Sequence, residues 1–341
     1  MTIVIGDTGG TNAHYAQLVG GNRSNGYRHN IVIPAHYKAR DFDTLNASMM
    51  AYVNTHVKGK VDCAIIDAAG PVLNVEGDPQ VKFSNSPWSC SRAQLAKDLG
   101  LRPKQVKLIN DFQAAAYAVK ALDPAKDFIR IRGIPDLEQG PCVVIGPGTG
   151  LGTALLMPVM PDRNDKGFAA WAAEPQHYPA TDINDHLHEL IAAVKKIRGI
   201  KIVSHENLYC FGPDQGLVNL YHANRYLEKW EKRSFRLSNI SPQDIVERSS
   251  TDKICRRAVW DFCFGLGLYA GQLALYPLAD GGIYVLGVHE KLGNKFQAEA
   301  FLEGTLQNNK ASLVERMPVS LVTAKTPAFK GLCYLAQKLK L

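Results

Sequence analysis

Asn110 and Asp111 place an amide beside a carboxylate at the end of the short run Lys107-Leu108-Ile109. Val106 to Ile109 predicts a buried strand and the alanine-rich stretch Gln113 to Val119 predicts a helix, so Asp111 falls at a strand-to-helix junction. Ligands gather at the carboxyl ends of strands in α/β sheets, and a carboxylate held there is a candidate general base. The competing reading is that Asp111 only caps the helix that follows.

Two glycine-rich runs offer a second kind of chemistry. Ile3 to Ile5 leads into Gly6, Asp7, Thr8, Gly9, Gly10, Thr11 and Asn12, ahead of a second apolar run from Ala16 to Val19. This order predicts a hairpin whose adjacent glycines let backbone N–H groups approach a ligand, with the Thr8 and Thr11 hydroxyls as further donors. Such a turn suits phosphate. Asp7 is wrong for phosphate oxygens by itself but can hold Mg²⁺ or its waters, which then bridge to them. A plain β-turn is the alternative. Pro141 to Ile145 is another apolar strand, and it feeds Gly146-Pro147-Gly148-Thr149-Gly150-Leu151-Gly152 before Ala154 to Met157. No helix is predicted after this run, which removes the dinucleotide-binding reading, and the Lys-Ser/Thr of a P-loop is absent. Two glycine-threonine hairpins remain, a pair able to clamp a polyphosphate from two sides.

The elements that must position these groups read as a mixed α/β protein. Thr44 to Val57 has helical spacing, Asp62 to Ala68 is a buried strand stopped by Gly70-Pro71, and Ser91 to Leu99 is a helix with a serine cap and Gly100 beyond it. Asn85-Ser86-Pro87-Trp88 is a polar turn that either lines a sugar pocket or buries its tryptophan. Helices follow at Pro242 to Ser250, Asp252 to Leu275 and Phe329 to Leu339, with strands at Ile283 to Leu286 and Val319 to Thr323. Gly265, Gly267 and Gly271 predict close packing along the second of those helices.

With 341 residues the chain is long enough for two domains and a large core. A net charge of +7, spread along the chain, favours a small acidic ligand over nucleic acid. Seven cysteines without a C-x-x-C pair predict free thiols in a reducing compartment and disfavour zinc. The first residues lack the pattern of a signal peptide, and the apolar stretch from Trp260 to Leu278 is broken by glycines and carries Asp261, so the expectation is a cytoplasmic protein with no membrane span.

Taken together, Asp-x-Gly-Gly-Thr-Asn near the start, Ile-Asn-Asp-Phe in the middle and Gly-Pro-Gly-Thr-Gly-Leu-Gly after it resemble the bacterial glucokinase family. The order and spacing match over nearly the whole chain, including Asn-Ser-Pro-Trp at 85–88 and Gly-Leu-Val-Asn-Leu-Tyr at 216–221. The resemblance implies a two-domain actin-like ATPase fold, ribonuclease H-like, with mixed sheets and an interdomain cleft. The domains it implies are a small one from 1–111 plus 323–341 and a large one from 112–322. It also implies ATP and Mg²⁺ as cofactors, glucose or a related hexose as the small-molecule substrate, a homodimer, and no nucleic-acid or membrane partner. Carried over residue by residue, it makes Asp111 the base for the sugar 6-hydroxyl and Asn110 its hydrogen-bonding neighbour. Glu174, His177 and Glu206 become further sugar ligands, and the nucleotide phosphates fall to Gly6 through Asn12 and to Gly148, Thr149 and Gly150, with Asp7 at the metal. Replacing Asp111 should then lower turnover by a factor of about 10² or more.

Three places depart from the family pattern. Ala173-Glu174-Pro175-Gln176-His177 stands where glycines flank the glutamate and histidine, Phe211 to Gly216 replaces a tight Ser-Gly-Pro-Gly turn, and Gly287-Val288-His289 replaces a glycine-rich turn near the adenosine. These departures keep two alternatives open: a kinase of another hexose, or a catalytically weak sugar- or nucleotide-binding sensor.

Overall fold

The computed structural model describes residues 1–20, 29–84, 86–134, 140–159, 167–228 and 235–338. They divide into two compact units, the first made of residues 1–122, 170–172 and 324–341, the second of 123–169 and 173–323. The glycine-broken stretches and the strand-helix alternation of the sequence reappear as mixed sheets with helices against them.

In unit 1, β1 (Thr2–Thr8) and β2 (Asn12–Gly20) form the expected hairpin, and β3 (His29–Lys38) extends it. Helix α1 (Leu45–His56) begins at the Thr44 cap and leads to β4 (Cys63–Ala68), which lies parallel to β1. A small exposed sheet of β5 (Val72–Val75), β6 (Asp78–Lys82) and β7 (Ser89–Ser91) follows, then α2 (Arg92–Asp98), β8 (Val106–Asn110) and α3 (Asp111–Ala118). The main sheet runs in the order β3-β2-β1-β4-β8. Its middle strands are β-branched and buried, so the ends of β1, β4 and β8 that carry polar residues are fixed by the core beneath them. Helix α3 starts at Asp111, two residues before the expected Gln113, because Asn110 supplies the cap. A helix at Pro327–Lys338 packs on α3 so closely that a Cβ at Gly331 would meet the Ala114 carbonyl.

In unit 2, β9 (Phe128–Arg132), β10 (Cys142–Pro147), β11 (Leu151–Val159) and β12 (Gly167–Ala173) precede the helices α4 (Asp185–Arg198), α5 (Leu217–Glu228), α6 (Pro242–Arg248) and α7 (Lys253–Leu275). The chain continues through β13 (Gly282–Leu286), α8 (Val288–Leu292), α9 (Ala298–Thr305), α10 (Ala311–Arg316) and β14 (Val319–Val322). The six strands order as β12-β11-β10-β13-β14-β9, with β10 and β11 the second glycine hairpin. Helix α7 is apolar and long enough to cross a membrane, yet most of it is buried in this unit's core. Its glycines do what their spacing predicts: a Cβ at Gly267 would strike the Phe301 carbonyl and one at Gly271 the Thr305 carbonyl, both on α9. All seven cysteines are free thiols.

Candidate active site

Unit 1 gathers carboxylates at the ends of its parallel strands. Asp111 is the first residue of α3, half-buried, with Oδ1 accepting from the Phe112 amide at 2.8 Å. The cap itself is Asn110, whose Oδ1 accepts from the Phe112 and Gln113 amides at 2.9 and 3.2 Å. Asn110 Nδ2 donates to the Gly70 carbonyl at 2.9 Å, so this buried amide ties the end of β8 to the turn after β4. The sequence left open whether Asp111 is the cap; the neighbouring amide takes that task.

The first glycine run closes as a tight turn, with Gly9 N–H donating to the Asn12 carbonyl at 2.8 Å. Asp7 lies directly across from Asp67 in the parallel β1–β4 register. Asp67 is completely buried: its Oδ1 accepts from the Thr8 amide at 3.1 Å, and its Oδ2 receives no hydrogen bond. Burial raises the Asp67 carboxyl well above the ordinary range, and the charges of Asp7 and Asp111 push the same way. Asp7 is also raised by burial, with His14 pulling it back.

That orphaned Asp67 oxygen also tests the Mg²⁺ expectation. Asp7 is partly exposed and presents hard oxygen donors, with the buried Asp67 directly behind it, and Mg²⁺ is usually held by one or two carboxylates with substrate phosphates and water completing its shell. The residues fit such an ion. Among the described residues no group of three or more His, Cys, Asp or Glu side chains forms a cage for a metal.

In unit 2 the three remaining candidates meet. Glu174 ends an extended segment, and Pro175–His177 forms a single 3₁₀ turn started by the proline. That turn brings His177 Nε2 to 3.2 Å from Glu174 Oε2, while His177 Nδ1 lies 3.5 Å from Glu206 Oε2. The cluster opens to solvent, with the His177 side chain 57% exposed. Glu206 also accepts from the Leu151 amide at 3.2 Å, and a Cβ at Gly150 would collide with its Oε1. Glu206 thus lies against the second glycine hairpin of unit 2. Gly148 N–H donates to the Gly150 carbonyl at 2.7 Å, and the hairpin is braced from outside: Phe211 N–H donates to the Gly148 carbonyl at 2.7 Å and Gln215 Nε2 to the Thr149 carbonyl at 3.2 Å.

The glucokinase family profile matches residues 4–339. The chain belongs to the glucokinase family. A glucokinase of Yersinia enterocolitica is 31% identical over 343 residues, covering 98% of this chain and 97% of that protein. Among solved structures, glucokinase from an Antarctic psychrotroph superposes with a TM-score of 0.79 at 26% identity and 99% coverage of both chains. A ROK family glucokinase from Streptomyces griseus, solved with glucose and AMPPNP, shares the fold with a TM-score of 0.58 at 15% identity, covering 99% of this chain and 100% of that one. The fold is therefore the actin-like one of the sugar kinases, and the chain is a hexose-kinase-type enzyme of the glucokinase family.

Within that family the three departures acquire physical accounts. Gln176 is buried instead of lining an open loop, and its Nε2 donates to Glu174 Oε2 at 2.5 Å. The 211–216 segment supplies the braces of the glycine hairpin just described. Gly287 takes the left-handed conformation that starts α8, φ 74°, and Val288 is fully buried, so its side chain fills the core of unit 2. Trp88 is also buried, its indole N–H donating to the Phe42 carbonyl at 3.1 Å, which favours the buried-turn reading over a sugar-pocket wall. Asn85 lies outside the described residues.

Sequence reasoning did not single out Asp67, and it noted Gln176 only as a departure from the family pattern. The signal for Asp67 was a lone carboxylate inside a run otherwise fit for a fully buried strand, Cys63-Ala64-Ile65-Ile66-Asp67-Ala68.

Proposed function

We propose that this enzyme phosphorylates the 6-hydroxyl of glucose with ATP, Asp111 acting as general base. The observation that carries the reading is the contact of Glu206 with the second glycine hairpin, which puts a hydroxyl acceptor beside amides suited to phosphate. Glu174, His177 and Glu206 offer carboxylate oxygens and an imidazole for sugar hydroxyls, a set that can accept and donate at several positions of the ring. In the transfer, the hydroxyl oxygen bonds to the γ-phosphorus, its proton goes to Asp111, and the bond to the bridging oxygen of ADP breaks. The transition state is loose, so positioning and charge neutralisation do most of the work.

Asn110 holds Asp111 by capping α3, and one of its two amide protons is already given to Gly70. The phosphates fall to the backbone of Gly6, Thr8, Gly9, Gly10, Thr11 and Asn12 and of Gly148, Thr149 and Gly150. Asp7 would hold Mg²⁺, with Asp67 behind it; the ion would neutralise charge on the phosphate oxygens. A homodimer and a cytoplasmic location belong to this reading on the family resemblance alone.

The test is a coupled assay of ADP release with ATP and Mg²⁺ across glucose, mannose, glucosamine, fructose and no sugar. Release with glucose as the preferred sugar supports the reading. Release with a different sugar moves the substrate, and a folded protein that releases no ADP with any of them ends the proposal.

A further inference from the structure

The cluster around His177 contains a buried amide for which packing gives no reason. Gln176 is 6% exposed, and its Oε1 has no hydrogen-bond partner among the described residues. Burying half an amide unsatisfied costs free energy that an apolar side chain of the same size would avoid. Its Nε2, however, donates to Glu174 Oε2 at 2.5 Å, and its main-chain carbonyl accepts from the Glu206 amide at 3.0 Å. One residue is therefore bonded to the side chain of one carboxylate and to the backbone of the other. His177 lies between those two carboxylates, 3.2 Å from one and 3.5 Å from the other. Among the described residues the other side-chain donor near Glu174 is His177, whose side chain is mostly exposed, and the cap at the start of the 3₁₀ turn makes no side-chain hydrogen bond.

We propose that Gln176 is a positioning residue for sugar binding, setting the orientation of Glu174 and its spacing from Glu206 before the sugar arrives. The proposal rests on the assignment of Glu174 to the sugar site. The amide removes the need for sugar to order a carboxylate that would otherwise sample several rotamers, which is where pre-organisation gains affinity. Pro175 works with it, because a fixed φ at the first position of the turn leaves Gln176 directed inward. A loop with glycines at both places would lack these constraints.

Three variants of the full-length enzyme test this. Gln176→Met keeps the volume and removes the donor. The expected result is a KM for glucose raised about tenfold, the loss of one hydrogen bond to a charged group, with KM for ATP unchanged and Tm equal to or above that of the parent. Gln176→Glu puts a second carboxylate against Glu174. Its KM for glucose should be high at pH 8 and fall toward the parent value as pH is lowered to 5.5, because a protonated carboxyl donates as the amide does. Glu174→Gln checks the underlying assignment and should raise KM for glucose. A Gln176→Met enzyme with parental KM for glucose, or one in which both KM values rise while Tm drops, overturns the positioning role. Parental KM for glucose in Glu174→Gln instead removes Glu174 from the sugar site, and Gln176 with it.

Discussion

The two carboxylate groups of this molecule are held by different means. Asp7 and Asp67 stand opposite each other near the ends of two adjacent parallel strands, and Asp111 follows the next strand as the first residue of α3, held by the Asn110 cap. Glu174, His177 and Glu206 stand on a single helical turn and a loop, where spacing is set by individual hydrogen bonds through Gln176 and Leu151. The first group is placed by the sheet beneath it and held by backbone amides, from Thr8 to Asp67 and from Phe112 to Asp111. The groups on the turn and loop are partly exposed, and each depends on a few side chains that can be removed one at a time.

If that contrast is right, the largest effect comes from Asp111, the proposed base. Asp111→Ala should lower kcat by about 10² to 10⁴ with little change in glucose affinity, measured by steady-state kinetics and by sugar titration. Unchanged turnover would remove Asp111 from the chemistry. The next effect concerns the support of the loop-borne group. His205 is buried beside Glu206 with Nδ1 unpartnered and its ring centroid 4.9 Å from that of Tyr269, and burial pushes its pKa down to about 4. Below the unfolded value of about 6.5 the unfolded chain takes up a proton that the folded chain refuses, so stability present above pH 6.5 is lost as pH falls toward 4. The loss is about 3 kcal/mol at its limit, by 1.36 kcal/mol per pH unit. His205→Phe keeps the ring and should flatten this part of the stability profile in denaturant melts; an unchanged acid limb contradicts it.

A smaller effect separates contact from support within the cluster. Glu206→Gln should raise KM for glucose about tenfold, by weakening charged hydrogen bonds, while circular dichroism and Tm change little. The smallest is expected at the buried strand carboxylate. Asp67→Asn keeps an acceptor for the Thr8 amide and replaces the orphaned oxygen with a donor, so it should stabilise by about 1 kcal/mol. Because the folded Asp67 carboxyl is raised, its contribution is lost as pH rises from the unfolded value through the folded one, and the advantage of the asparagine should grow with pH in thermal melts. A variant less stable than the parent at pH 8 would mean that Asp67 is charged and held by a partner.

The same contrast explains what the sequence disclosed. Both glycine hairpins, the strand before Asp111 and helix α7 were readable, because short β-branched runs ending in glycine, and a long apolar stretch with spaced glycines, each leave a local pattern. The start of α3 was misplaced by two residues because aspartate and asparagine are equally good caps and only the chain's path decides between them. Strands β5 and β6 went largely unread, since they are mostly exposed, include Pro79 and carry no alternation. Glu174, His177 and Glu206 had no local signature as a site; they were found through family resemblance, and their mutual distances come from tertiary hydrogen bonds that no spacing rule contains. Asp67 was hidden in plain view, because a strand pattern is judged by its apolar majority.

The helix that braces α3 belongs to unit 1 but lies in sequence after all of unit 2, at Pro327–Lys338. On a ribosome moving at about 5–20 residues per second, α3 and its Asp111 wait on the order of tens of seconds for the partner helix that locks them. Through that interval unit 2, contiguous but for three residues, can mature before unit 1 is complete. A chain stalled before residue 327 thus carries every proposed active-site residue and lacks the helix that packs against the one bearing Asp111.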